Sequence, residues 1–186
     1  MSVIFHPVAT KTEVEQLAAL AHEIWNEYWP ALIGQEQTDY MVENFQSLHA
    51  IEKGMAEQGY RYWFVVDTDV NADGAPEQHL INLGEGPVRI MGYTGGYTEA
   101  ETNRFFISKI YLLEEARGHG YCSKTIAHYE QLCEAEGLKA MYLTVNKHNE
   151  LGIRAYLGKG FGTIDAVESD IGNGFIMDDY IMQKTL

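Results

Sequence analysis

Basic residues are scarce in this sequence. Lysine and arginine number 13 against 27 aspartates and glutamates, a formal net charge of -14, and a surface of that sign repels a phosphate backbone. Nucleic acid is therefore not an expected partner; the charge suits solubility, or a field that attracts cations such as polyamines. Cysteine is scarcer. Two in 186 residues cannot build a disulfide framework, and neither lies in the paired Cys/His spacing of a zinc site. Both are expected to be free thiols, and no metal is expected. No apolar run approaches the roughly 20 residues that cross a bilayer, and no basic leader precedes an apolar stretch and a cleavage site. The expectation is a cytoplasmic protein with no membrane partner. Internal repeats and a low-complexity tail are also missing, so a solenoid or array is not expected.

With 46% hydrophobic and 12% aromatic residues, the chain has enough apolar side chains for the core of one globular domain, 1–186. Val14, Leu17, Ala18, Ala21, Ile24, Trp25 and Tyr28 recur at helical spacing from Thr12 to Tyr28, and Thr10 with Glu13, or Thr12 with Glu15, offers a capping box. After Pro30 and Gly34, Met41, Phe45, Leu48, Ile51 and Met55 predict a second helix from Thr38 to near Gly59. Two helices are thus expected before any strand. Tyr60 to Asp67 is aromatic and β-branched and reads as a strand, and Asn71 to Pro87 reads as a loop. Val88 to Glu99 and Arg104 to Leu113 predict two more strands, the second with Phe106, Ile107, Ile110 and Leu112 among its apolar positions. A helix from about Gly120 to Glu136, a strand from Lys139 to Asn146, a short helix from Asn149 to Gly160 and strands around Thr163 to Val167 and Phe175 to Lys184 complete the chain. The order implies an α+β fold with a mixed sheet.

The segment Ile110-Tyr-Leu-Leu-Glu-Glu-Ala-Arg-Gly-His-Gly-Tyr-Cys-Ser-Lys-Thr-Ile126 carries the most chemistry, because it runs from a strand through two glycines into a helix. The first amides of a helix have no internal partner and the helix dipole adds positive charge there, so such junctions bind anions. Gly118 and Gly120 would let a phosphate approach the backbone, or would simply make a tight strand-to-helix turn. Gly118 to Thr125 nearly fits the P-loop pattern, but Ser123 stands where the last glycine belongs and the strand Ala140 to Val145 does not end in aspartate.

The run Arg117-Gly-His-Gly120-Tyr-Cys122 resembles the Arg/Gln-x-x-Gly-x-Gly/Ala signature of the GNAT acetyltransferases, with Cys122 in the last small-residue position and Leu112-Leu-Glu-Glu-Ala116 as the preceding strand end. A second block, Leu143-Thr-Val-Asn-Lys-His-Asn149 followed by Ala155-Tyr156 and Gly160-Phe161, is similar to that family's Asn, helix, Tyr, Gly-Phe block. Ile171 to Lys184 looks like its final hairpin, including that of polyamine acetylators. The resemblance covers roughly Met91 to Leu186 and implies the GNAT fold: a mixed central sheet of about six or seven strands flanked by helices, with a splayed strand pair that holds CoA. It implies acetyl-CoA as cosubstrate and a primary amine as acceptor. By resemblance, Arg117, Gly118, His119, Gly120, Tyr121, Cys122 and Ser123 form the pyrophosphate cradle. Ile110, Tyr111 and Leu112 give backbone contacts to the pantetheine arm, Asn149 fixes that arm, and Tyr156 and Lys159 join the cofactor-binding set. Tyr156 falls at the position of the family's general acid, and a phenol, protonated at neutral pH, can donate to the departing thiolate.

An alkylamine with pKa near 10.4 is neutral in only about one molecule in 10³ at pH 7, so a proton must be removed before attack. Some relatives carry a glutamate base five residues before the asparagine, where this chain has Thr144. Direct attack with a water-relayed proton, draining to Glu114, His148 or an acid of the N-terminal helices, is the working expectation. For the acceptor, Trp25, Tyr28, Trp29, Asp39, Tyr40 and Tyr97 offer aromatic walls and a carboxylate suited to an alkylammonium ion, or else belong to core and solvated surface. Two rival readings stay open: a protein or peptide acetyltransferase, and a catalytically silent acyl-CoA-binding relative. The assembly is left open too, a homodimer among the options.

Overall fold

The computed structural model describes every residue, Met1–Leu186, and the chain divides into two compact units. The first, Met1–Gly95 with Lys109–Thr125, opens with strand β1 (Val3–Pro7), which precedes the helices predicted to come first. Its five residues have too little pattern to announce a strand alone. What orders them is antiparallel pairing with β2 (Arg61–Asp67), from Val3↔Asp67 to Pro7↔Trp63, and β1 is an edge strand that tolerates proline.

Helix α1 (Lys11–Tyr28) uses the Thr10–Glu13 capping box: Thr10 Oγ1 accepts the Glu13 amide at 3.3 Å, and Glu13 Oε2 accepts the Thr10 and Ala9 amides at 2.8 and 3.0 Å. Burial would raise the Glu13 carboxyl, but those amides and the His6 ring outweigh it and bring it down to about 2. Thr10→Ala is expected to lower stability by about 1 kcal/mol, read as a fall in the urea midpoint at unchanged slope; an unmoved midpoint would mean that the Glu13 carboxylate alone holds this end.

The long second helix predicted from Thr38 is instead a broken series: α2 (Pro30–Ile33), α3 (Gln35–Met41), a π-helical turn (Val42–Gln46) and α4 (Leu48–Gln58). The break falls at Ser47, whose extended backbone ends the π turn and whose Oγ accepts the Ala50 amide as the cap of α4. Leu17, Leu20, Ala21 and Ile24 of α1 and Ile51 of α4 pack in one core with Phe64, Val65 and Val66 of β2 and with Ile90, Met91 and Tyr93. Each such side chain contributes roughly 1.5–3 kcal/mol by leaving water, which is why the amphipathic helices lie on the sheet.

The predicted 71–87 loop contains a short strand, β3 (Leu80–Asn82), that pairs antiparallel with the start of β4 (Pro87–Glu99). Three residues between turn formers carry too little periodicity to be seen without the partner. β4 and β5 (Arg104–Leu112) run through both units.

The second unit, Gly96–Ser108 with Ile126–Leu186, holds most of α5 (Tyr121–Glu136), β6 (Ala140–Asn146), α6 (Glu150–Leu157), β7 (Gly162–Gly172) and β8 (Phe175–Thr185). Strand order is β1-β2-β4-β5-β6-β8-β7, with β3 beside β4. That is eight strands, beyond the expected count because β1 and β3 are added. β7 is also longer than predicted; its pairing with β8 passes two register shifts, between Thr163 and Asp165 and between Asp170 and Gly172. β6–β8 and β7–β8 are antiparallel, and β5–β6 is parallel.

The β5–β6 register runs from Arg104↔Ala140 to Ile107↔Leu143, whereas β5 continues to Leu112 and β6 to Asn146. The parallel pairing therefore ends before either strand does. At the far end of β4, a Cβ on Gly96 would lie 2.0 Å from the Phe106 carbonyl oxygen, so only glycine lets the two backbones approach there.

Candidate functional site

In the first unit, β5 leads through a 3-10 turn (Glu114–Ala116) to Arg117 and then to Gly118 and Gly120, with φ of 78° and 88°. That left-handed region is what glycine adopts without strain, and a Cβ at either position would meet nothing within 4 Å. The glycines are thus set by backbone conformation, and the space before them is open. The Lys124 amide donates to the Gly120 carbonyl at 3.2 Å as helix α5 begins. The amides of Tyr121, Cys122 and Ser123 form the turn that a helix start leaves without intrahelical acceptors.

Arg117 does not reach into this turn as a free cation. Its Nε donates to the Leu112 carbonyl at 3.1 Å, a terminal nitrogen donates to Glu27 at 2.7 Å, and the guanidinium lies 4.8 Å from the Tyr28 ring centroid. It ties the strand exit to the end of α1. The Tyr121 side chain is buried and its hydroxyl donates to Asp67 at 2.7 Å, so burial and that carboxylate push its phenol up. Only its main chain is left for a ligand. Cys122 is half-buried and Cys133 buried, and neither is in a disulfide.

The aromatic residues expected to line an acceptor site are partly brought together. Trp25 and Trp29 stack at 5.0 Å, Tyr28 meets Trp29 edge-on at 5.4 Å, and Tyr111 sits edge-on to Trp25 at 5.3 Å. Trp25 is 2% exposed and belongs to the core, while Tyr28 and Trp29 are half-buried. Asp39 is exposed and accepts from Gln35, and Tyr40 packs on Phe45. Both of these contacts lie within their own helical segment. Tyr97 lies in the second unit, edge-on to Phe106 at 5.4 Å, its phenol raised by burial and by the Glu99 charge.

In the second unit, Asn149 is the N-cap of α6. Its Oδ1 accepts the Gly152 amide at 3.0 Å, and a Cβ on Gly152 would lie 2.9 Å from Asn149 Nδ2 and crowd this cap. Tyr156 is half-buried on α6, with its ring 5.9 Å from that of Phe161. Lys159 closes the helix, its amide donating to the Tyr156 carbonyl at 2.9 Å and its carbonyl accepting from Lys184 at 2.8 Å.

Three groups were not anticipated from the sequence. Glu27 is the partner that fixes Arg117. Lys109 is 7% exposed on β5, its ammonium donating to the Phe45 carbonyl at 3.2 Å, and burial lowers it to about 8. Asp179 is 4% exposed on β8, and burial, reinforced by the Asp178 charge, raises its carboxyl to about 6. The only advance signal was phase: Lys109 shares the alternation of Phe105 and Ile107, the buried row of β5. No cluster of three or more His, Cys, Asp or Glu side chains is placed to hold a metal ion, and no helix is long and apolar enough to cross a membrane.

Within this α+β fold, a glycine turn at a helix start suits the main chain to holding a phosphorylated ligand. The family model described as the acetyltransferase (GNAT) family matches residues 21–162, and the chain belongs to that family. It is 30% identical over 96 residues to the protein named uncharacterized N-acetyltransferase YycN of Bacillus subtilis (strain 168). That match covers 50% of this chain and 62% of the relative's length. Among solved structures, the fold is similar to that of PaiA N-acetyltransferase from Thermoplasma acidophilum in complex with coenzyme A, with a TM-score of 0.69 and 16% identity over 100% of both chains. It is also similar to mutant forms of the spermidine/spermine N-acetyltransferase SpeG from Vibrio cholerae, with a TM-score of 0.61 and 16% identity over 98% of this chain and 93% of that one. These likenesses establish the fold.

Proposed function

We propose that this chain transfers the acetyl group of acetyl-CoA to the primary amine of a small cationic acceptor, with polyamines the favoured class. The observation that carries the reading is the Arg117–Ser123 turn, where two left-handed glycines with open space before them precede the first amides of α5. A pyrophosphate satisfies such amides and is favoured by the dipole of a 16-residue helix. The residues fit the cosubstrate: main-chain groups of Gly118, His119, Gly120, Tyr121, Cys122 and Ser123 would hold its phosphates. Ile110, Tyr111 and Leu112, past the end of the β5–β6 register, would offer backbone to its pantetheine arm, with Asn149 and Lys159 completing the cofactor set.

Acetyl-CoA supplies an activated thioester, and the protein must place the amine, take its proton and protonate the leaving sulfur. Tyr156 is assigned the last task. Trp29 and Tyr28 offer half-exposed rings to an alkylammonium ion, and the net charge of -14 draws a polycation toward the surface. A fold neighbour named as a spermidine/spermine N-acetyltransferase supports the same acceptor class.

The test is a thermal shift with acetyl-CoA beside a CoA-release assay against spermidine, small diamines, amino acids, aminoglycosides and short peptides. At about 100 times Kd, acetyl-CoA is expected to add about 2.7 kcal/mol to stability, with turnover greatest on the polyamine. Stabilisation without turnover on any acceptor would turn the reading to an acyl-CoA-binding protein. Turnover confined to peptides would turn it to a protein acetyltransferase.

A further inference from the structure

Asp179 lies in the central strand of the β6–β8–β7 group, opposite Asn146 of β6 and Val167 of β7. It is 4% exposed, and its Oδ1 meets no hydrogen-bond donor. A carboxylate in that state is costly to keep. Its neighbour shows the usual remedy: Asp178, on the opposite face of β8, is paired with Lys147. The other charged or titratable groups on the strands beside Asp179 are Tyr142 on β6, Asp165, Glu168 and Asp170 on β7, and Tyr180 and Lys184 on β8 itself. The two cations are engaged elsewhere: Lys147, whose charge offsets part of the rise at Asp179, is paired with Asp178, and Lys184 is paired with Glu130.

The position links Asp179 to the helix that carries Tyr156. Asn146, directly across from it, accepts the Asn149 amide on its carbonyl and the His148 amide on its side chain, both at 2.9 Å. Asn149 then caps α6. One short turn thus joins the strand beside the unpaired carboxylate to the helix bearing the phenol.

We infer that Asp179 is the proton acceptor of the reaction, taking one proton directly from the ammonium of the incoming amine. The inference rests on the acetyl-transfer reading above. The carboxylate removes the first proton, the freed nitrogen lone pair attacks the thioester carbonyl, the C–N bond forms and the C–S bond breaks. The second nitrogen proton passes to the sulfur through Tyr156, and the proton on Asp179 leaves to solvent. Ammonium and thioester give amide, thiol and one released proton.

The test compares pH profiles of kcat/KM for wild type, Asp179→Asn and Asp179→Glu with a diamine acceptor. In the wild type the profile should be flat from about pH 7 to 9 and fall on the acid side near the carboxyl's value of about 6. Asp179→Asn should lose about 10²-fold to 10⁴-fold at neutral pH and rise about tenfold per pH unit toward the amine pKa of about 10.4, because only neutral amine then reacts. Asp179→Glu should keep the plateau at reduced height. With an alkoxyamine, already neutral at pH 7, Asp179→Asn should match the wild type. The acetyl-CoA thermal shift reports whether each variant is folded, and if Asp179→Asn is not, the wild-type profile and Asp179→Glu decide.

A flat wild-type-like profile in Asp179→Asn overturns the inference alone. So does an equal loss on both acceptors, which would make Asp179 structural, or a wild type without the acid limb. A wild type that binds acetyl-CoA but acetylates no amine overturns the functional reading and this inference with it.

Discussion

Tyr156→Phe is expected to lower kcat by about 10²-fold to 10³-fold while leaving acetyl-CoA affinity within about twofold. The ring packs against Phe161 at 5.9 Å on the half-buried side of α6, and phenylalanine preserves that contact. The helix start is secured separately by the Asn149 cap. The substitution therefore removes a hydroxyl and little else. The hydroxyl matters only when the C–S bond breaks, since a thiolate leaving into a site without a donor keeps its full charge. A thiol pKa of about 8.5 makes sulfur a fair leaving group, which is why the expected loss stays below the top of the range for general acids. The check is kcat from CoA release together with Kd for acetyl-CoA by calorimetry. Unchanged turnover removes Tyr156 as the acid, and a loss of affinity at unchanged kcat makes it a binding residue.

The elements that announced themselves in the sequence are those whose stability is local. Thr10 and Glu13 close a capping box four residues wide, and the structure uses it rather than the alternative at Thr12. The left-handed glycines at 118, 120 and 137 mark turns that few other residues adopt, so α5 was bounded within a residue at both ends. β1 and β3 were hidden because their reason to exist is a partner strand far along the chain. The break at Ser47 was hidden for a related reason: the apolar spacing from Met41 to Met55 continues across it, and nothing in that spacing distinguishes one helix from a π turn and a second helix.

The site was legible where it is made of backbone and illegible where it depends on burial. The glycine turn and the Asn149 cap are written in consecutive residues. The expected apolar positions of β5 mixed its two faces, and the buried row proved to be Phe105, Ile107 and Lys109. Asp178 and Asp179 are indistinguishable in sequence, yet one is half-buried and ion-paired with Lys147 while the other is 4% exposed. Only the strand phase separates them.

Lys109→Met is expected to stabilise the protein by about 2 kcal/mol at neutral pH, raising Tm by roughly 4–8 °C. The ammonium is 7% exposed, holds one hydrogen bond to the Phe45 carbonyl and lies 5.9 Å from the Tyr60 ring centroid. Burial alone lowers it from 10.5 to about 8. The folded state thus binds this proton more weakly than the unfolded state, which corresponds to a penalty of about 3 kcal/mol wherever both are charged. Methionine fills the same slender volume without a charge, and about 1 kcal/mol returns as the Phe45 carbonyl loses its donor. The sign follows from linkage: between about pH 8 and 10.5 the unfolded chain holds more protons, so wild-type stability climbs with pH there, by at most about 1.4 kcal/mol per unit. The variant should lack this rise, and the gap between the two proteins should close as pH passes the unfolded value. Urea denaturation at neutral pH and near pH 10 measures both quantities. A variant less stable than wild type at neutral pH would mean that the buried ammonium is held by more than one carbonyl and a ring face, and the burial account of Lys109 would fall.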